Sequence, residues 1–233
     1  SASIASLIAN ADPERSYRLY VFYDQLRQEN IDRLNSMSTG NVSVQCRCIT
    51  AWVTPNRELF YTRGRLTSVT YFRFFAADEL TEYDKLLYLD SDIAVLGDVG
   101  ELYDIEIGNN ILGGVVIYRD RENERRLKEE YLRKLMDISP DRYIIAGVLI
   151  MNLKGFRERG ILNRCLEYLR RTCSGRICQE SLFTLYPEFR RYKVKNKIVE
   201  MVPTRPEMEF PEVRLMRRNF VLHVGPTNSG KTY

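Results

Sequence analysis

The residues with the clearest chemical purpose are the two carboxylates of Asp90-Ser91-Asp92. They end the apolar run Lys85-Leu-Leu-Tyr-Leu89, which reads as a short buried strand. In an extended chain residues i and i+2 point to the same side, so the two carboxylates converge where the strand stops. Open α/β sheets bind their ligands beyond the carboxyl ends of their strands. A carboxylate pair at such a place suits a hard cation that bridges phosphate oxygens. The competing reading is a solvated acidic turn, and the preceding strand favours the metal. A second chemical motif lies near the other end. Gly225-Pro-Thr-Asn-Ser-Gly-Lys-Thr232 matches the Walker A pattern and follows an apolar run from Phe220 to Val224. In such loops backbone N–H groups cradle phosphates and the lysine, here Lys231, reaches the β/γ pair. The chain has one histidine, so any step that needs an imidazole must use His223.

Composition narrows the classes. The chain has 233 residues, 44% hydrophobic and 28% charged, which fits a single globular domain. The net charge is +4, too small a surplus to argue for nucleic acid by itself. No apolar run reaches the roughly 18 residues of a membrane span. The first ten residues lack the basic start of a secretory signal. Cysteines at 46, 48, 165, 173 and 178 include no Cys-x-x-Cys pair, so neither a zinc ribbon nor a disulfide framework fits. Reduced, packing thiols in a cytosolic protein are the expectation.

The elements that must position these groups alternate. Strands are expected at Leu19–Tyr23, Val42–Thr50, Lys85–Leu89, Ile111–Tyr118, Gly147–Leu153 and Phe220–His223. Helices are expected at Gln25–Met37, Thr67–Leu80 (with an aromatic face) and Arg121–Met136. This order implies a layered α/β domain with a largely parallel sheet. Arginine clusters at 119–126 and 214–218 read mainly as solvated faces, with an anionic membrane surface as the alternative.

The run Tyr71-Phe-Arg-Phe-Phe-Ala-Ala-Asp-Glu-Leu80, followed by Tyr83-Asp-Lys-Leu-Leu-Tyr-Leu-Asp-Ser-Asp-Ile-Ala-Val-Leu-Gly-Asp98, resembles glycosyltransferase family 8. Ala146-Gly-Val-Leu-Ile-Met-Asn-Leu153 resembles the family's second strong block, and Ser3-Ile-Ala-Ser-Leu7 its first helix. The resemblance implies a GT-A fold, a Rossmann-like α/β domain with a mixed, mostly parallel central sheet, over residues 1–233. It implies transfer of a hexose from a UDP-sugar, with retention, to a glycan or lipid-linked acceptor of the lipopolysaccharide or cell-surface polysaccharide type. The metal would be Mn2+, with Mg2+ as the alternative. Asp90 and Asp92 match the family's metal-binding acids, with Ser91 near the nucleotide, and His223 matches the histidine that completes the site. Arg73 matches an arginine near the sugar-phosphate end of the donor. Gln179 matches a glutamine beside the reacting sugar. Gly225 lies in the diphosphate turn, and Lys231 stands for the lysine that holds the diphosphate. A cytoplasmic enzyme at the inner face of a membrane, with peripheral contact and no nucleic-acid partner, follows from the same resemblance.

Four departures stand against the family pattern. The family's first strand is not in the sequence, which begins inside the first helix. Ile145 replaces an asparagine and Ile117 an aspartate, while Cys178 and Glu180 replace the acids around Gln179. Apolar groups in place of polar sugar contacts weaken donor recognition. A catalytically impaired binding module is therefore one alternative. A P-loop nucleoside-triphosphatase fragment is the other, because His223 to Tyr233 also looks like the start of an RNA helicase motor.

Overall fold

The computed structural model describes residues 2–60, 67–116, 144–172, 199–201 and 220–226. A six-stranded sheet organises them. In chain order its strands are β1 (Tyr17–Tyr23), β2 (Val42–Cys48), β3 (Lys85–Leu89), β5 (Leu112–Val116), β6 (Ile144–Asn152) and β8 (Phe220–Pro226). The short strands β4 (Ile93–Val95) and β7 (Val199–Met201) pair separately. The spatial order of the large sheet is β2-β1-β8-β3-β6-β5.

The period-2 alternation of the strands splits the core into two layers. Tyr20, Phe22, Leu86, Tyr88, Leu149 and Met151 face one side, against Tyr71, Phe72, Phe74 and Phe75 and the helix Ile161–Thr172. Leu19, Val21, Val44, Leu87, Leu89 and Ile150 face the other, against Ile4 and Leu7 of the helix Ala2–Asn10 and Leu34 of the helix Gln28–Asn35. A sheet covered on both faces explains why β1 and β3 read as nearly continuous apolar runs.

Two expectations change on contact with the structure. The sheet is mixed, and β1, β2, β3 and β5 share one direction, yet only β1 and β2 pair in parallel. The antiparallel strands β8 and β6 are interleaved among the others and turn the remaining pairings antiparallel. The Thr67–Leu80 helix is instead a 3-10 run, Ser68–Phe75, that passes into one α turn, Ala76–Glu79. Tyr71 through Phe75 are all buried, so this stretch of the segment has no solvent face, while Ser68–Thr70 are half-buried. Packing of a bulky aromatic run, not helical amphipathicity, decides its conformation. The expected helix Arg121–Met136 lies outside the described residues.

β5 and β6 lose register between Gly114 and Val115: Gly114 faces Leu149, but Val115 faces Ile145. The backbone of Ala146, Gly147 and Val148 therefore has no β5 partner, and β6 bulges there. The edge strand β2 is covered by side chains rather than by another strand. Ser38 Oγ accepts from the Val44 N–H at 2.9 Å, and Asn35 Oδ1 accepts from the Cys46 N–H at 3.0 Å. Such caps blunt an edge that would otherwise pair with another chain.

Burial beside the helix Gln28–Asn35, where its Sγ lies 3.9 Å from the Ile31 carbonyl, pushes the Cys46 thiol up to about 11, while Cys48 at the strand end is exposed. The thiolate is the form that reacts. At pH 8, iodoacetamide should label Cys48 at least ~10-fold faster than Cys46, read by peptide mass spectrometry. Labelling of Cys46 should climb about tenfold per pH unit toward pH 11, as its thiolate fraction does.

Candidate active site

β3 delivers Asp90 to the edge of the sheet where β1 and β2 also end. The Asp90 N–H donates to the carbonyl of Gly147 at 2.8 Å, one step beyond the Leu89–Val148 pair. The chain then turns through Ser91 and Asp92, both half-buried, into β4.

Arg73 is brought to this edge by the 3-10 run and is only 2% exposed. Each of its three guanidinium nitrogens has a partner within the protein. Nε donates to the Thr70 carbonyl at 3.0 Å, and Nη1 donates to the Ala146 carbonyl. Nη2 pairs with Asp90 Oδ1 at 3.3 Å. The plane lies over the Tyr88 ring, 4.3 Å from its centroid. The β6 bulge is what leaves the Ala146 carbonyl available. Burying an isolated cation is prohibitive, so a carboxylate, two carbonyls and an aromatic face must replace the lost water.

Tyr88 sits two residues before Asp90 on the same face of β3, and its hydroxyl donates to Asp90 Oδ1. Burial pushes the Tyr88 phenol well above its ordinary value, although Arg73 pulls the other way. It therefore stays a neutral donor. Gly147 packs against the other oxygen: a Cβ built there would lie 2.8 Å from Asp90 Oδ2. Sequence reading found Arg73 and Asp90 but missed Tyr88 and the role of Gly147. The signal for Tyr88 was the period of two; nothing local revealed that residue 147 abuts the carboxylate.

The other site residues fall differently. Gln179 and Lys231 lie outside the described residues, as do Ile117 and Cys178. Ile145 has its backbone in β6 beside the bulge. His223 and Gly225 lie in β8, whose backbone runs antiparallel between β1 and β3. The register sets His223 opposite Tyr88 and Tyr20, in the body of the sheet. Gly225 falls opposite Arg18, near the amino ends of β1 and β3 and away from Asp90. Among the described residues no three His, Cys, Asp or Glu side chains cluster as a metal cage. Asp90 and Asp92 nonetheless supply hard carboxylate oxygens. With Arg73 paired to Asp90, the two acids and the arginine together leave one net negative charge, which is chemistry a hard divalent cation accepts.

The sequence model of glycosyltransferase family 8 matches residues 1–182. The chain belongs to glycosyltransferase family 8. A lipopolysaccharide 1,3-galactosyltransferase of Salmonella typhimurium is 28% identical over 176 residues, covering 72% of this chain and 48% of the relative. The bifunctional glycosyltransferase WbbM superposes with a TM-score of 0.66 at 25% identity, over 83% of this chain and 35% of that one. The galactosyltransferase LgtC, solved with donor and acceptor sugar analogues, gives 0.61 at 23% identity, over 78% of this chain and 63% of that one. These neighbours establish the GT-A fold. The chain spans about half the length of the curated galactosyltransferase it matches. A different model, the DEXQ-box helicase domain of Suv3, matches residues 206–233. The family 8 match thus covers the described site but stops before β8. No described helix of this family 8 chain is long and apolar enough to cross a membrane.

Breaking a buried pair is costly because it strands the remaining charge. Arg73→Ala should lower stability by ~3–5 kcal/mol in urea unfolding. Arg57 approaches Asp24 more closely, at 2.6 Å, but its side chain is 49% exposed. Arg57→Ala should cost ~1 kcal/mol or less, so burial rather than distance should rank the two.

Proposed function

We propose that this chain transfers a hexose from a UDP-sugar to a glycan acceptor of the lipopolysaccharide or surface-polysaccharide type, with retention at the anomeric carbon. The observation that carries the reading is Asp90, seated at the carboxyl end of β3 within the span matched by family 8. The names of two relatives, a lipopolysaccharide galactosyltransferase and a galactosyltransferase solved with sugar analogues, support the substrate class.

In this reading Asp90 and Asp92 hold Mn2+ or Mg2+. Such a cation, when bound, neutralises charge on the departing diphosphate. The chain's own contribution is to present two carboxylates at a fixed spacing on the sheet edge. Arg73 supplies a buried positive charge that keeps Asp90 oriented and counters its charge. Ser91, between the acids, faces the nucleotide. Gln179 acts beside the reacting sugar and His223 on the metal; both assignments rest on the motif alone. The leaving group needs charge stabilisation rather than a proton, so a site with one imidazole suffices. A nucleotide sugar and a glycan or lipid-linked acceptor are the partners.

Calorimetric titration of UDP should show binding with Mn2+ that EDTA abolishes. Asp90→Asn and Asp92→Asn should each weaken it about tenfold or more. Equal, metal-independent binding in both variants would sink the reading.

A second reading applies to Gly225–Thr232 alone. Two observations favour it: the helicase match over 206–233, and a β8 register that sets Gly225 far along the sheet from Asp90. We infer that this segment is the phosphate loop of a nucleoside-triphosphate site and takes no part in holding the sugar diphosphate. Lys231→Ala should then abolish ATP binding and leave Mn2+-dependent UDP affinity within about twofold. Loss of UDP affinity instead would return Lys231 to the glycosyltransferase site.

A further inference from the structure

We propose that Tyr88 is a positioning residue for Asp90, with Arg73 and Gly147 completing the seat; this rests on the reading of Asp90 as a cation ligand. A carboxylate has two oxygens and turns readily about its last torsion. Here the turn is prevented. Oδ1 accepts from the Tyr88 hydroxyl and from Arg73 Nη2. Oδ2 occupies the space that any side chain at 147 would take. Any rotation of the carboxylate plane away from this orientation would break both bonds to Oδ1, so the plane is held.

Accessibility divides the labour. Tyr88 is fully buried and Arg73 nearly so, while the Asp90 side chain is 30% exposed. Tyr88 cannot touch a substrate, and a cation can approach Asp90 only from the solvent side. A phenylalanine would fill the same core volume without the cost of burying a hydroxyl. The hydroxyl of Tyr88 is accounted for by the carboxylate it holds. Arg73, with its three nitrogens directed at Thr70, Ala146 and Asp90, acts from beneath the site by the same route. Hydrogen-bond partners behind a metal ligand typically govern metal affinity by 10–100-fold, and that is the scale expected of Tyr88.

The test is calorimetric titration of UDP, with Mn2+ and with EDTA, into wild type, Tyr88→Phe, Gly147→Ala, Asp90→Asn and the Tyr88→Phe/Asp90→Asn double variant. Tyr88→Phe should weaken Mn2+-dependent UDP binding about 10–100-fold and leave any binding in EDTA unchanged. It should add nothing in the Asp90→Asn background. Gly147→Ala keeps the hydroxyl but must displace Oδ2, so it should show the same metal-dependent loss even if Tyr88→Phe does not fold. Wild-type affinity in Tyr88→Phe and Gly147→Ala, beside a clear loss in Asp90→Asn, overturns the positioning role and leaves the proposed function standing. A further loss when Tyr88→Phe is added to Asp90→Asn, or a loss in EDTA, marks a merely structural tyrosine and also overturns it. Absence of Mn2+-dependent binding in wild type removes both readings together.

Discussion

The burial of one positive charge shapes the functional edge of this protein. Arg73 lies under the aromatic layer with almost no access to water. The protein must supply what hydration no longer does. It does so from three separate segments: the Thr70 carbonyl from the 3-10 run, the Ala146 carbonyl from the β6 bulge, and the Asp90 carboxylate from the end of β3. Tyr88 adds its ring beneath the guanidinium and its hydroxyl to the same carboxylate. Each segment is thereby tied to the others. A shift of β6 by one residue would remove the carbonyl, and an unbroken β5–β6 ladder would compete for it.

The same arrangement connects packing to function. The aromatic residues that hold the 3-10 run in place, with Phe60 stacked on Tyr71 at 4.6 Å between centroids, set where Arg73 emerges. Arg73 in turn sets where Asp90 stands. The site is therefore built on strands and a buried core, which hold ligands more closely than loops do. The antiparallel strand β8, between β1 and β3, supplies backbone partners to both and closes the middle of the sheet. It belongs to the segment that matches a helicase family, so the sheet of a glycosyltransferase domain is completed by residues of another resemblance.

Much of the fold was legible because its rules are local. Lys85–Leu89 is a strand over the residues expected, since five apolar-rich residues flanked by polar turns offer few other solutions. The strand Val42–Cys48 begins where expected and ends on the exposed Cys48, two residues short of the expected Thr50. The segment 68–75 was misread. Its apolar spacing suits an α-helix, but five successive buried residues, Tyr71–Phe75, pack in the tighter 3-10 form. Strand direction was also beyond reach. Whether neighbours pair in parallel depends on which distant strand is inserted between them, and β8 comes from more than 120 residues beyond β3.

For the candidate site the division is similar. The sequence by itself determined that two carboxylates follow a buried strand, that Arg73 belongs with them, and that the chain carries the blocks of glycosyltransferase family 8. Residue type, a period of two and motif order were enough for that. Only the tertiary structure decided what holds Asp90. The Ala146 carbonyl as the anchor of Arg73 and Gly147 as the space for the second oxygen arise from residues 73 and 57 positions apart and from a register slip in a ladder, while Tyr88, only two residues from Asp90, becomes its donor once the end of β3 is set. Such contacts depend on how the chain closes on itself, and no local pattern encodes a loop closure.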